Sequence, residues 1–324
     1  MNIMLNDYCN LNCKYCFAGL NEKKINISDE NMQSFIEFLK RSNMRSLRVL
    51  GGEPTLHPNF IKYIQTATMD RFFEEILVFT NGYNLNKEMV DNIISPKIGF
   101  LINFNKIDDI GEKKYNTIVE NVTYLTRKYR QLNLPVKVTL GINIYEPDFD
   151  YKYIINMTKQ LNLKSIRYSI TVPTKTGENI TLDYYKQYIP KIMEFLECCY
   201  QNKIVTNLDC NNIPKCLFTK DELITLVTRG HNMCNKNFCS MPLDVRPNLD
   251  VTRCFPFFDT WKLNIKDYDN VNQIKEFFGE RIDKYRFEKP TFKECETCKL
   301  FENKLCQCGC LTYKFKKGDA NDIN

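Results

Sequence analysis

The chain predicts an α/β fold in which helices cover a parallel sheet, followed by a small cysteine-rich region. Three observations carry this. Between Asn2 and Ile170, short β-branched or aliphatic runs alternate with longer helical stretches, a pattern that belongs to parallel strands with covering helices. The alternation has six units, too few for a closed eight-stranded barrel. Eight of the fifteen cysteines fall between Cys234 and Cys310, a clustering that points to metal ligation.

Candidate strands are residues 3–5, 47–50, 76–80, 98–104, 136–144 and 166–170. Helical patterns fill the gaps. In the first, at 29–41, Phe35, Ile36, Phe38 and Leu39 make one apolar face, and Ser28 stands where an N-cap is needed. Residues 184–200 read as one further helix, with Cys198 and Cys199 as buried small side chains. Residues 206–230 read as a bridge. It carries Cys210 and Cys216 at a spacing that fits no standard metal motif, so structural cysteines are the default and a ligand or substrate-facing thiol is the alternative. The domains expected are 1–180, a bridging region 181–233, and 234–324.

With 324 residues, 43% of them hydrophobic, the chain can bury a large core. A net charge of +6 makes no case for nucleic-acid binding. Lys314, Lys316 and Lys317 are expected in a solvated tail. No 18-residue apolar run and no basic-then-apolar N-terminus occurs, so neither a membrane span nor a signal peptide is expected, and the cytoplasm is the expected location. There a disulfide framework would be reduced, which leaves metal or redox chemistry for the cysteines.

The loop after the first strand carries Cys9, Cys13 and Cys16. Three thiolates from one loop can hold a [4Fe–4S] cube and leave one iron open. A closed zinc site is the alternative, but the two histidines, His57 and His231, lie far along the chain. After the second strand comes Gly51-Gly52-Glu53-Pro54, where paired glycines let backbone approach a ligand and a carboxylate can accept from an ammonium group. Thr80-Asn81-Gly82 ends the third strand; alone it is only a favoured turn.

C-x3-C-x2-C with an aromatic before its last cysteine, followed by Gly-Gly-Glu-Pro, resembles the radical S-adenosylmethionine (SAM) enzymes. The resemblance implies a partial (β/α)6 TIM barrel with its chemistry at the C-terminal strand ends. It implies that Cys9, Cys13 and Cys16 ligate a cluster whose open iron binds SAM, which is cleaved to a 5′-deoxyadenosyl radical that takes a substrate hydrogen. By the same resemblance Tyr15 lies near the adenine, with a packing aromatic as the alternative. Gly51, Gly52 and Glu53 would face the SAM amino group, Asn81 belongs to the T-N-G segment, and Asn103 would meet the ribose or carboxylate. Arg167 would reach SAM or a substrate carboxylate, or make an ordinary ion pair.

The C-terminal array, Cys234, Cys239, Cys254, Cys295, Cys298, Cys306, Cys308 and Cys310, resembles the SPASM extension of radical SAM enzymes, which holds two auxiliary [4Fe–4S] clusters. The implied first cluster takes Cys234, Cys239, Cys254 and Cys310. The second takes Cys295, Cys298 and Cys306, with Cys308 as its fourth ligand or an open iron. That makes three [4Fe–4S] clusters in all. A zinc site on Cys295, Cys298, Cys306 and either Cys308 or Cys310 is the alternative. Three departures from the pattern stand out: Leu249 occupies a position usually glycine, the gap from Cys298 to Cys306 is long, and no cysteine follows Cys310.

SPASM members modify peptides and proteins by crosslinking, thioether formation or side-chain oxidation, and some act on small molecules. Peptide or protein modification by an oxidoreductase of the peptide-maturase type is the expectation. A small-molecule radical reaction is the runner-up, and an iron–sulfur electron-transfer protein the non-enzymatic alternative. Phe255 stands where sulfatase-maturing members carry an acid, and Asp259 is poorly spaced to replace it. The first strand begins at once, so the expectation is that a separate protein presents a leader peptide, that the enzyme recognises a short core directly, or that the substrate is not a peptide. A reductase, flavodoxin or ferredoxin is the implied electron donor.

Overall fold

The computed structural model describes residues 1–16, 24–171, 181–209, 213–231, 238–257, 261 and 263–315. They divide into two compact units, Met1–Gly141 with Pro242–Lys275, and Ile142–Met241 with Glu276–Asn324. Each unit therefore gathers two separate stretches of chain.

In the first unit the predicted strands form nearly where expected: β1 (Asn2–Met4), β2 (Ser46–Leu50), β3 (Glu75–Thr80) and β4 (Ile98–Asn103), with β5 (Val138–Ile144) crossing the division between the units. All pair in parallel, with Ile3 opposite Val49, Val49 opposite Val78, Thr80 opposite Ile102 and Asn103 opposite Gly141. This register brings the C-terminal ends of β2, β3 and β4 to one edge. Ile3, Leu47, Val49, Ile76, Val78, Ile98 and Ile102 are fully buried, as expected of a sheet covered on both faces.

Helix α1 (Asp29–Arg41) has the predicted bounds. Ser28 Oγ accepts from the Asn31 amide at 3.1 Å, and Phe35, Phe38 and Leu39 are buried while the intervening polar residues face out. Asp29 and Glu30 in the first turn and Lys40 and Arg41 in the last complement the helix dipole. The unit's other covering helices are α2 (Phe60–Met69), α3 (Lys87–Ile93), α4 (Ile107–Ile110) and α5 (Glu112–Gln131).

In the second unit lie α6 (Lys152–Gln160), β6 (Ser165–Ile170), α7 (Leu182–Lys186), α8 (Ile189–Gln201), β7 (Val205–Leu208) and α9 (Lys220–Thr228). Strand β7 was not foreseen; it pairs in parallel with β6, Ile166 opposite Thr206. The single helix expected at 184–200 is two helices. Pro190 sits in the first turn of α8, and with no N–H it cannot continue the ladder from α7. Cys199 is buried on α8, as expected, and Cys198 is half-buried.

Residues from the C-terminal third extend the first unit's sheet. Strand β8 (Asp244–Val245) pairs in parallel with β1, and the antiparallel β9 (Asp250–Thr252) and β10 (Leu263–Asn264) follow it outward. Asn2 Nδ2 donates to Asp244 Oδ1 at 2.7 Å and fixes the join. The β8–β9 turn carries Leu249 at φ +70, the left-handed region that a glycine would occupy without strain. Asn248 supports it: its Oδ1 accepts from the Asp250 amide at 3.2 Å. Beyond α10 (Val271–Arg281), the second unit ends in short turns and α11 (Lys299–Glu302).

The solvated tail expected at Lys314 is a correction. Lys314 is buried, its Nζ donates to the Lys289 carbonyl, and it lies over the Phe301 ring at 5.1 Å. Neighbouring charges in sequence say nothing of where a turn carries one of them, and the turn at Leu311–Lys314 points this ammonium inward. Lys316 and Lys317 lie outside the described residues. Among the described residues no helix is long and apolar enough to cross a membrane.

Candidate functional site

The first unit assembles its site where β1, β2 and β3 end. The chain leaving β1 runs beside the glycine pair: the Gly52 amide donates to the Asn6 carbonyl at 3.0 Å and the Glu53 amide to the Tyr8 carbonyl at 2.9 Å. A Cβ on Gly51 would stand 2.4 Å from Asn6 Oδ1, and one on Gly52 would stand 2.2 Å from the Tyr8 carbonyl oxygen. The glycines are thus required by the approach of the cysteine-bearing segment.

Glu53 is buried at the centre of this junction. Its Oε1 accepts from the Thr55 amide (3.2 Å), Thr55 Oγ1 (2.6 Å) and Thr80 Oγ1 (2.7 Å), and its Oε2 accepts from the Asn81 amide (2.7 Å). Burial pushes the carboxyl above its ordinary pKa, against the bonds that pull it down. The carboxylate therefore ties the end of β2 to the Thr80-Asn81-Gly82 turn after β3. Asn81 continues the chain of contacts, its Nδ2 donating to Asn10 Oδ1 at 2.8 Å and lying 3.6 Å from Cys9 Sγ.

The three loop cysteines are brought together. Cys13 is pushed up to about 11 by burial, with the Cys9 and Cys16 thiols beside it adding to the rise. Burial also raises Cys9, and Glu53 and Cys16 act on it in the same direction. Two donors already face Cys9 Sγ, the Leu11 amide at 3.4 Å and Asn81 Nδ2, and such donors stabilise a sulfur ligand. Among the described residues no three His, Cys, Asp or Glu side chains converge as closely as a single ion demands. Three neighbouring thiols, two half-buried and one exposed, fit an iron–sulfur cube open at one corner. The loop is pinned from outside by Lys114 Nζ to the Asn10 carbonyl (3.3 Å) and by the Lys14–Asp109 pair (3.5 Å).

Tyr15 donates its hydroxyl to Asn105 Oδ1 at 2.6 Å, so the cysteine loop is also tied to the segment after β4, where Asn103 ends the strand. Asn6 and Asn10 belong to this network and escaped the sequence reading; each is an asparagine in the segment leaving β1, a signal shared with ordinary turns.

Residues 3–157 match the radical SAM superfamily model. This stretch is a radical SAM domain. A protein of Methanocaldococcus jannaschii provisionally named a glycyl-radical enzyme activating enzyme is 26% identical over 210 residues, 63% of this chain and 77% of its own. The GTP 3′,8-cyclase of Aquifex aeolicus is 19% identical over 222 residues, 57% of this chain and 69% of its own. Among solved structures, native anSMEcpe with bound AdoMet and Kp18Cys peptide has a TM-score of 0.68 at 18% identity, over 99% of this chain and 91% of that one. Streptococcus suis SuiB bound to precursor peptide SuiA has a TM-score of 0.63 at 14% identity, over 98% of this chain and 74% of that one. These likenesses establish the fold. A radical SAM domain over residues 3–157 implies a [4Fe–4S] cluster and SAM, and the residues around Cys9, Cys13 and Cys16 fit that group.

Outside the radical SAM domain, Arg167 on β6 forks onto Asp209, with Nε 2.9 Å from Oδ2 and Nη2 on the same oxygen, and its Nη1 donates to Asn143 Oδ1 at 2.9 Å. Ser169 Oγ donates to the same Asn143 oxygen at 2.8 Å. Asp209, Asn143 and Ser169 were not anticipated.

The C-terminal cysteines fall in both units. Cys254, in the first unit, lies 3.8 Å from Nη1 of the fully buried Arg253. The amide of Cys239, in the second, donates to Gln307 Oε1 (2.8 Å), while Gln307 Nε2 donates to the Gly309 carbonyl (2.6 Å). Cys310 Sγ contacts Thr312 Oγ1 at 2.9 Å. Cys308 is buried at φ +63 and Gly309 follows at φ +87, the backbone bend that the Cys308-Gly309-Cys310 sequence requires to part its two thiols. Cys308 stands between Cys295 and Cys306, hydrogen-bonded to both, which raises its own pKa and lowers theirs. The ammonium of Lys314 acts on the same three thiols. Cys234, Cys210 and Asp259 lie outside the described residues.

Proposed function

We propose that this chain is a peptide- or protein-modifying radical SAM oxidoreductase that carries a SPASM-type C-terminal region with two auxiliary [4Fe–4S] clusters. One observation carries the reading: Cys9, Cys13 and Cys16 sit together on a loop locked by Glu53 and Asn81 to the strand ends of a radical SAM domain. When bound, the cluster and SAM supply reductive cleavage to a 5′-deoxyadenosyl radical. The chain's own part is to hold the loop. Glu53 fixes the Thr80–Gly82 turn, Asn81 faces Cys9, and Tyr15 anchors the loop's far side through Asn105. Gly51, Gly52, Glu53, Asn81 and Asn103 are assigned to SAM, Tyr15 to its adenine, and Arg167, already paired with Asp209, to SAM or a substrate carboxylate.

A peptide substrate is supported by the likeness to SuiB and anSMEcpe along nearly the whole chain, since both of those proteins bind peptides. The first auxiliary cluster is assigned to Cys234, Cys239, Cys254 and Cys310, the second to Cys295, Cys298 and Cys306, with Cys308 or an open iron at its fourth position. A reductase, flavodoxin or ferredoxin would donate electrons, a separate protein would present a leader peptide, and the cytoplasm is the assigned location. Relatives such as GTP 3′,8-cyclase favour a small molecule as the second reading. The test is anaerobic turnover with dithionite: SAM should yield 5′-deoxyadenosine, and a precursor peptide encoded beside this gene should lose hydrogen mass or gain a crosslink by mass spectrometry. No 5′-deoxyadenosine from reconstituted protein would refute the enzyme assignment; 5′-deoxyadenosine with small molecules alone would refute the peptide.

A further inference from the structure

The second auxiliary cluster, as assigned above, has three ligands at Cys295, Cys298 and Cys306 and a fourth position still to be assigned. The second unit brings a thiol there from a distant part of the chain. Cys216 lies in the turn Lys215–Leu217, some eighty residues before Cys295. Both of its neighbours touch the cysteine cluster. The Lys215 backbone amide donates to the Cys306 thiol, and the Leu217 side chain packs on the core formed by Leu182, Tyr185, Phe292, Cys295 and Cys308. Cys216 itself is close enough for Cys306, Cys295 and Cys298 all to act on it, in that order, after burial.

Cys308 stands in a different relation. It is hydrogen-bonded to Cys295 and Cys306 at once, and its amide lies 3.4 Å from Cys306 Sγ. The four thiolates of a cube stand at separated corners, each on its own iron, beyond hydrogen-bond contact with one another. Cys308 therefore fills the space between two corner ligands, while Cys216 comes to all three from a separate segment whose Leu217 packs on the same core. We propose that Cys216 is the fourth thiolate of the second auxiliary cluster, and that Cys308 is a buried thiol that hydrogen-bonds two of its ligands. The inference rests on the second cluster proposed above. On ligation the Cys216 thiol releases its proton to solvent and its sulfur binds iron. Because Cys216 is exposed, the iron it holds would be the one nearest water, and thus the corner most open to exchange.

The test uses full-length protein reconstituted anaerobically, with iodoacetamide labelling read by peptide mass spectrometry before and after the iron is stripped with chelator and oxidant. The expected result is that Cys216 is blocked in the loaded protein together with Cys295, Cys298 and Cys306, and labels once iron is removed. By Mössbauer spectroscopy Cys216→Ala should fall from ~12 irons toward ~8, or keep a three-iron cluster visible by EPR, while Cys308→Ala keeps all three cubes. Cys216 is exposed, so its variant is expected to fold, and the labelling of wild-type protein does not depend on either variant. Equal labelling of Cys216 in loaded and stripped protein, with the other three protected, would overturn the proposal in favour of Cys308 or an open iron. If Cys295, Cys298 and Cys306 also label equally, there is no second cluster, and the reading beneath the proposal fails with it.

Discussion

Replacing Glu53 with alanine separates two roles for this carboxylate, because the structure occupies both of its oxygens with protein donors. Four donors lose their acceptor: the Thr55 and Asn81 amides and the Thr55 and Thr80 hydroxyls. The hydroxyls can turn, and Thr80 Oγ1 retains the Gly82 amide at 3.0 Å. The two backbone amides cannot turn, and a buried donor without a partner costs about 1–3 kcal/mol. Removing a buried, desolvated carboxyl returns part of that cost. A net loss of about 2–4 kcal/mol in unfolding free energy is expected. Glu53→Gln should lose less, about 1–3 kcal/mol, because one oxygen can keep its three bonds while the new NH2 group faces the Asn81 amide. Urea unfolding followed by circular dichroism measures both, and equilibrium binding of SAM to reconstituted protein runs alongside. If Glu53→Ala unfolds within about 0.5 kcal/mol of wild type while SAM affinity collapses, the carboxylate serves the ligand and does not hold the loop.

Replacing Cys9, Cys13 and Cys16 together with alanine should abolish 5′-deoxyadenosine formation yet leave the C-terminal iron in place; residual SAM cleavage would refute the ligand assignment. A pH series tests the two histidines. His57 Nε2 faces the Ile27 carbonyl (3.0 Å) while Nδ1 accepts from the Asn59 amide (3.0 Å), and His231 Nδ1 meets Thr206 Oγ1 (2.8 Å). Burial holds both pKa values down, so the unfolded chain protonates first: stability is full above about pH 6.5 and falls as pH drops below it. A urea midpoint unchanged from about pH 7.5 to 5.5 would contradict this, and His57→Gln should reduce the slope. Leu249→Gly relieves a left-handed residue worth about 1–2 kcal/mol but deletes a fully buried side chain worth about 2–5 kcal/mol. It should destabilise, and a rise in the urea midpoint would show that strain dominates this turn.

The sequence by itself determined the six parallel strands and α1, because these follow from local rules. Aliphatic runs set each strand, and the spacing of Phe35, Phe38 and Leu39 after Ser28 set the helix and its start. The three thiols at Cys9, Cys13 and Cys16 were legible for the same reason, since one short loop must bring them together. Tertiary structure decided what depends on partners far along the chain. The glycine pair reads in sequence as room for a ligand, yet Gly51 and Gly52 are fixed by the backbone of Asn6 and Tyr8, more than forty residues away. Glu53 reads as a free carboxylate, but its donors arrive with Thr80 and Asn81 from the next strand. Lys314 reads as part of a charged tail, and a single turn buries its ammonium beside Cys295, Cys306 and Cys308. Cys216 fits no spacing rule because its companions come from another segment, and periodicity along one segment carries no information about which other segment folds against it.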